Sequence, residues 1–501
     1  MARYKLRKLM VYLFIFIAMG YLFFVKGLPW VEADYQLTVA KNFVQGKSFL
    51  LAEKFSDIAV QHGNEWGDFH GLVNVLSFIP FAFIDHGLPK NFISNHDQLI
   101  SFLVALSGVF INAATCVVYF RFLVVIFGVA VPRSVYSALA LAFLTILFPY
   151  ASTNYEGNWE TLFLLCATYY LFSYHRDLKL SKAVKLGIML GVLLNTRETA
   201  LIFVPICAIC FLFNAFHEKR TNHSIGWVLG CAPGVVLWLY YNWARTGNAF
   251  LSPLMDGIIF HKPLVQARMP TSHIFRGFFG ILLSPGGSMF IYSPIFLVAL
   301  MGWKNLMMRF KFETFFILSY VLFSIVCNAS VKEWFGLFGW GPRYTLHLTP
   351  LVMLALPFAL HYFMSQVLRK LILIMISISA VVIQLAGVLT NWHARLGLLL
   401  ARCGEKDLFY TVACSQWWDS VKILFINVWN LWFGRLLFFK SPEYDSHLSW
   451  VSLQTSQTVS AWWNRLMVMG VDPRGVGFLM LVGAFIFVIC WVRISYLIRS
   501  E

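Results

Sequence analysis

Read for apolar and polar positions, the chain is a succession of long apolar runs separated by short polar breaks. The runs lie at Leu9–Val25, Ile100–Val129, Val135–Phe148, Thr161–Phe172, Ala183–Leu194, Ala200–Phe216, Ile225–Tyr241, Met289–Met301, Phe315–Val326, Leu346–Phe363, Leu371–Leu389 and Val476–Val492. A helix needs about 20 mostly apolar residues to cross the hydrocarbon core. Several runs are shorter, so their polar-looking ends must extend the helices. The pattern predicts an all-α polytopic membrane protein of about twelve transmembrane helices, since only helices or closed barrels satisfy backbone groups in lipid. Gly71–Ile84 is too short for a comfortable span and reads as interfacial or re-entrant. Ile423–Phe439 is ambiguous: a span there, despite Arg435, would reverse the last helix. There is no internal repeat of about 20–50 residues, which sets solenoid architectures aside.

Composition sharpens this picture. Of 501 residues, 59% are hydrophobic and 12% charged, and mean hydropathy is +0.70. Soluble domains sit near about 45–50% apolar and about 25% charged. So little charge cannot cover a soluble surface of this size. The net charge of +16 would suit nucleic acid if it were gathered on one face. Instead it comes in short clusters between apolar runs, which excludes nucleic acid as the expected partner. Counting alternately from a cytoplasmic N-terminus, marked by Arg3, Lys5, Arg7 and Lys8, puts the other clusters on the same side. These are Arg133, Lys179–Lys185, Lys219 and Arg220, Lys304–Lys311, Arg369 and Lys370, and Arg493 and Arg499. The positive-inside rule demands that arrangement. Both termini are then cytoplasmic. No A-x-A-like cleavage site follows Val25, so the first helix reads as an uncleaved anchor.

The opposite face receives the first long loop, Ala151–Glu160, Thr196–Thr199, Trp243–Ser288, Ser330–Tyr344 and Asn391–Arg474. The chain divides into a main transmembrane module (1–390), an aromatic-rich extracytoplasmic or interfacial segment (391–473) and a final helix with its tail (474–501). Trp392, Trp417, Trp418, Trp429, Trp432, Trp450, Trp462 and Trp463 fall in the middle segment. Tryptophan favours the membrane–water interface, so helices lying on the bilayer are expected there. Most of the nine cysteines lie inside apolar runs. Cys403 and Cys414 lie close together in a more polar stretch, where a disulfide and two free thiols fit equally.

The polar residues that interrupt the pattern gather on that opposite face. In "LPWVEADYQL", Glu32 and Asp34 are either a solvated loop with a capping Asp or a carboxylate poised as a general base. In "YASTNYEGNWETLFLL", Glu160 opens a span, where the helix dipole alone favours it; Glu156 lies in the loop before it. In "LLNTRETALIF", Arg197 and Glu198 break an apolar stretch, although a charge deep in lipid costs about 2.5–3.5 kcal/mol. A hairpin at the surface removes that cost; an anion for Arg197 is the sharper alternative. In "KEWFGLFGWGPRYTLHLTPL", glycines lead to Arg343 and Tyr344 at the start of a helix. A cation is poorly placed at that end of the dipole, so either snorkelling or an anionic ligand such as a lipid phosphate explains Arg343.

Taken together, these stretches resemble the GT-C superfamily of membrane glycosyltransferases, in particular its protein O-mannosyltransferase and aminoarabinose transferase branch. "VEADYQL", "GNWETLFL" and "LGVLLNTRETALIFVP" resemble its first-loop acid, its helix-opening glutamate and its arginine. "LLSPGGSMFIYSPIFLVALMGW" and "FGWGPRYTLHLTPLVMLALP" are the most specific runs, and the resemblance covers most of Met1–Leu360. It implies a GT-C-like bundle that takes a sugar from a polyprenyl-phosphate carrier and moves it to a glycan, lipid or protein hydroxyl, with inversion. Many relatives carry adjacent Asp-Glu in the first loop where this chain has Glu32-Ala33-Asp34. Asp34, nearer the expected helix start, is the preferred base, with Glu32 as the alternative. Arg343 with Tyr344, and Arg197 second, would hold the departing phosphate, and Glu160 and Glu156 the sugar or acceptor. No His/Asp/Glu cluster has metal-ligand spacing, which leaves a loosely bound divalent cation as the remaining cofactor option. The resemblance leans toward a bacterial inner membrane. Two other classes fit the same features: a transporter or flippase of lipid-linked sugars, and a non-catalytic assembly subunit.

Overall fold

The computed structural model describes residues 3–26, 33–47, 49–51, 60–62, 65–67, 70–87, 96–253, 274–336, 339–432, 461–463, 466 and 472–499. Each of the twelve apolar runs lies mainly on helix. Arg3–Leu22, His96–Val125, Gly157–Asp177, Leu180–Leu194, Ala200–His217, Thr221–Thr246, Lys311–Ser330, Val367–Leu389 and Pro473–Arg499 each carry one run. Three runs are broken. Val135–Phe148 divides between Val131–Phe143 and Leu147–Ala151, and Met289–Met301 between Met289–Tyr292 and Ile295–Arg309. Leu346–Phe363 passes from a 3-10 turn (Arg343–Leu348) through Thr349–Met353 into Leu356–Met364, with a bend of 62°.

By length and apolarity, six described helices can cross a membrane, or seven if the bent pair is one span. The other apolar runs lie on helices too short or too polar to pass by length and apolarity alone. The reason is physical: Val131–Phe143 has 13 residues and Ile295–Arg309 has 15, reaching about 20 Å at the helical rise. Gly157–Asp177 is long enough but carries Glu160, His175, Arg176 and Asp177. Beside the helices, the first loop holds a minor element of strand. Leu50–Leu51, Val60–His62 and Glu65–Gly67 pair as a small antiparallel sheet with Glu65–Gly67 in the middle.

Two buried clusters organise the interior. The smaller joins the Ala33–Val44 helix (Leu37, Val39, Ala40) to Leu72–Gly87 (Leu72, Val75, Phe78, Ala82) and to Ile100, Val104 and Tyr241. Leu72–Gly87 is the stretch read as re-entrant; at 16 residues, with Pro80 inside, it is a short apolar helix. The larger cluster runs through the main bundle and includes Trp392, Leu396, Leu399, Leu408, Phe409, Val421 and Leu424. The helical segment Trp392–Tyr410, kinked at Gly404 (φ 71°), and the helix Gln416–Trp432 therefore share the core of the bundle. The first and last helices pack together through Phe16, stacked 3.9 Å from Phe487 and 5.5 Å from Trp491. Side-chain hydrogen bonds tie helices where lipid offers none: Tyr119 OH donates to the Met353 carbonyl (2.6 Å) and Tyr21 OH to that of Ala142 (3.1 Å).

Candidate active site

The polar breaks between helices meet at one end of the bundle. Two glycines let them approach. A Cβ on Gly108 would lie 1.7 Å from the Thr153 carbonyl oxygen, so only glycine admits the Ala151–Glu156 turn against the His96–Val125 helix. A Cβ on Gly71 would lie 2.2 Å from the Thr196 carbonyl oxygen, which seats the 195–199 turn in the same way. Asn158 closes the first turn, its Nδ2 donating to the carbonyls of Tyr150 (3.0 Å) and Thr153 (3.2 Å).

Arg197 stands between the two acids that precede and open the Gly157–Asp177 helix. Its Nε lies 2.9 Å from Glu156 Oε1 and its Nη1 3.6 Å from Glu160 Oε2. Each carboxylate is also flanked by a histidine. His70 Nε2 is 4.0 Å from Glu156 Oε2, and His347 Nδ1 is 3.9 Å from Glu160 Oε2. Asn74 Nδ2 donates to Glu156 Oε2 (3.4 Å), and the Thr199 hydroxyl donates to Glu160 Oε1. Behind them, Ser324 Oγ lies 3.0 Å from His347 Nε2, and Arg245 Nη1 donates to the His70 carbonyl (2.8 Å). Glu156 and Glu160 are both buried. Burial by itself pulls the Arg197 guanidinium down. Tyr155, Glu156 and Glu160 outweigh it and hold the group well above its ordinary value. It is a fixed cation.

Arg343 reaches the same place from the other side. The Arg197 guanidinium lies 5.6 Å from the Tyr155 ring and 5.3 Å from the Tyr344 ring. The Arg343 guanidinium lies 5.7 Å and 5.2 Å from those same two rings. Two cations thus share one pair of aromatic faces, within cation–π range of each. Burial pushes the Tyr155 phenol up, against the pull of Arg197 and Arg343, so it stays a neutral donor. The stem of Arg343 is wrapped by its own glycine-rich approach. A Cβ on Gly336 would lie 2.5 Å from Arg343 Cγ, and one on Gly339 would lie 2.7 Å from Cδ. Gly336 (φ 85°) and Gly341 (φ 62°) also take left-handed backbone.

The structure therefore brings together Glu156, Glu160, Arg197, Arg343 and Tyr344, which sit on three separate segments of sequence. It adds His70 and Asn74, which lie outside the quoted stretches, and Tyr155, Thr199 and His347, which lie within them but were not singled out. Asp34 belongs to the Ala33–Val44 helix, but its side chain, and all of Glu32, lie outside the described residues. Among the described residues, no group of three or more His, Cys, Asp or Glu is placed to hold a metal ion. Close to the same end of the bundle, Cys403 and Cys414 are disulfide-bonded, which decides between the two readings left open for them.

No protein-family model matches the chain, and no protein of curated function matches it significantly. Among solved structures it is similar to ArnT from Cupriavidus metallidurans bound to undecaprenyl phosphate, with 13% identity and a TM-score of 0.47 over 82% of this chain and 75% of that one. It is similar also to the apo state of that ArnT, with 11% identity and a TM-score of 0.46 over 96% of this chain and 74% of that one.

Proposed function

We propose that this chain is an inverting membrane glycosyltransferase that moves a hexose or pentose from a polyprenyl-phosphate carrier to an acceptor hydroxyl outside the cytoplasm. The observation that carries the reading is the convergence of Arg197 and Arg343 on Tyr155 and Tyr344, beside the buried carboxylates Glu156 and Glu160. Glu160, Arg197, Arg343 and Tyr344 fall within the sequence runs that resemble GT-C glycosyltransferases, and Tyr155 and Glu156 immediately precede one of them. Glu156 and Glu160 balance the Arg197 charge, and the Arg343 guanidinium beside the same aromatic pair suits a phosphate through its planar fork. The site lies at the ends of apolar helices, where a lipid-borne phosphate would present its head. The Cys403–Cys414 disulfide at that end favours the oxidising side of the membrane.

In the reaction, an acceptor oxygen forms a bond to the anomeric carbon as the bond from that carbon to the phosphate oxygen breaks. The acceptor proton passes to a first-loop carboxylate, Asp34 or else Glu32, a step worth about 10²–10⁴ in rate. The electron pair leaves with the polyprenyl phosphate. Arg343 and Arg197, fixed before the charge develops, stabilise it; removing one such donor typically costs about 3 kcal/mol. Tyr344 flanks both guanidinium groups, and Glu156 and Glu160 keep Arg197 oriented and line the sugar's side of the site. Donor loss from a panel of labelled polyprenyl-phosphate sugars, incubated with purified protein and candidate acceptors, tests this. Consumption of a donor by the wild type and not by Asp34→Asn supports it, and lipid binding without consumption of any donor overturns it in favour of a transporter.

A further inference from the structure

The hairpin formed by Trp392–Tyr410 and Gln416–Trp432 lies beyond Met1–Leu360, the stretch whose sequence resembles GT-C glycosyltransferases, yet it reaches the site. We propose that Gln416 is a positioning residue for Arg343: its buried amide clamps the glycine-rich loop that wraps the Arg343 side chain. This rests on the reading in which Arg343 holds the donor phosphate.

Gln416 uses its whole hydrogen-bonding capacity. Nε2 donates to the carbonyls of Gly339 (3.1 Å) and Trp392 (3.4 Å). Oε1 accepts from the Gly341 N–H (3.2 Å) and from Tyr292 OH (3.3 Å). A glutamine amide has two donors and an acceptor oxygen with two lone pairs, so every site is filled. Glutamate lacks the donors, asparagine is a methylene too short, and leucine would leave four buried groups without that partner. Two of those groups, the Gly339 carbonyl and the Gly341 N–H, belong to the loop against which the Arg343 stem packs.

The far side of the loop is held independently. Tyr150 OH lies 2.9 Å from the Trp340 amide nitrogen, which donates to it, and 3.1 Å from the Trp340 carbonyl, to which it donates. With both anchors in place the loop is pinned on either side of Trp340. Gln416 is itself anchored from before and after. The Cys403–Cys414 disulfide precedes it, Arg395 Nη2 pairs with Asp419 Oδ2 at 2.6 Å, and Trp417 Nε1 donates to the Pro285 carbonyl (2.8 Å). The force path runs from the hairpin through Gln416 to Gly339 and Gly341, and so to the guanidinium beside Tyr155 and Tyr344. A loop with left-handed residues at both ends would otherwise sample many conformers.

The test titrates a polyprenyl phosphate in detergent against wild type, Gln416→Leu, Gln416→Glu, Arg343→Ala and the double variant Gln416→Leu/Arg343→Ala. Loss of the clamp should weaken binding roughly tenfold in both Gln416 variants, the scale of a buried partner removed. Arg343→Ala should weaken it at least as much, and the double variant no further than Arg343→Ala alone. Formation of the Cys403–Cys414 disulfide and the unfolding temperature report separately on folding. Equal further loss in the Arg343→Ala background, or wild-type affinity in Gln416→Leu, overturns the positioning role while leaving Arg343 as the phosphate ligand. If the wild type binds no polyprenyl phosphate, the reading of Arg343 falls first. Hydrogen exchange at the Gly339–Arg343 amides then decides the clamp by itself: faster exchange in Gln416→Leu supports it and unchanged exchange overturns it.

Discussion

Arg197→Ala is the most informative single perturbation of the cluster. Its guanidinium is shared by Glu156 (2.9 Å) and Glu160 (3.6 Å), whose side chains are 9% and 1% exposed. At an effective dielectric of about 20, one charge pair near 4 Å is worth about 4 kcal/mol. Removing one partner of a buried pair typically costs about 3–5 kcal/mol, because the remaining charge is stranded. Here two carboxylates are stranded at once, offset by what is left around them. Asn74 still donates to Glu156, and Thr199 to Glu160. The expected net loss is therefore about 3–5 kcal/mol rather than twice that. The assay is unfolding of detergent-solubilised protein, scored against Arg197→Ala/Glu160→Gln and Glu160→Gln. Neutralising Glu160 in the Arg197→Ala background should recover a substantial part of the loss, whereas in the wild type it should cost stability. Arg197→Ala with wild-type stability, or a double variant less stable than both singles, would refute the picture of a cation holding two buried acids.

Asp34→Asn should abolish sugar transfer while leaving expression and donor binding close to wild type; retained transfer would move the base to Glu32 or elsewhere. Arg343→Ala should weaken polyprenyl-phosphate affinity by about 10–100-fold, as for a lost hydrogen bond to a charged group, measured by titration in detergent; unchanged affinity would make Arg343 structural. Gly339→Ala places a Cβ 2.7 Å from Arg343 Cδ and 2.8 Å from Tyr150 OH. It should cost about 1–3 kcal/mol by overpacking and lower lipid affinity with it, both read from the same unfolding and binding curves. Gly108→Val collides with the Thr153 carbonyl and should sharply lower the yield of folded protein on size-exclusion chromatography.

How far the sequence revealed all this differs between fold and site. The positions of the helices followed from hydropathy, because each apolar run states its own burial. Which of them are long enough to span by themselves did not. Short elements such as Val131–Phe143 look like truncated spans in sequence, and whether neighbours complete them is settled by tertiary packing. The site was legible in pieces. Glu160, Arg197 and Arg343 stood out because each is a charge where local physics did not require one or gave it only a modest reward. Their mutual contacts could not be read, since the partners come from separate helices and each stretch had an adequate local explanation. Glu156 showed only as a loop acid for the same reason. His70 and His347 gave no signal beyond being histidines near apolar runs. A usable hint for His347 was its place in "GPRYTLHLTP", one helical turn beyond Arg343. The small sheet in the first loop was missed because its strands are two or three residues long, too short for alternation to show.

The most direct test of glycosyl transfer reconstitutes the protein into vesicles with a labelled polyprenyl-phosphate sugar. It follows sugar transfer and lipid movement across the bilayer in the same sample, with Arg343→Ala alongside. The expected result is acceptor-dependent release of polyprenyl phosphate by the wild type, lost or strongly reduced in Arg343→Ala, without acceleration of lipid movement. Accelerated movement of intact donor between leaflets, with no sugar transferred to any acceptor, would contradict catalysis and assign the site to transport.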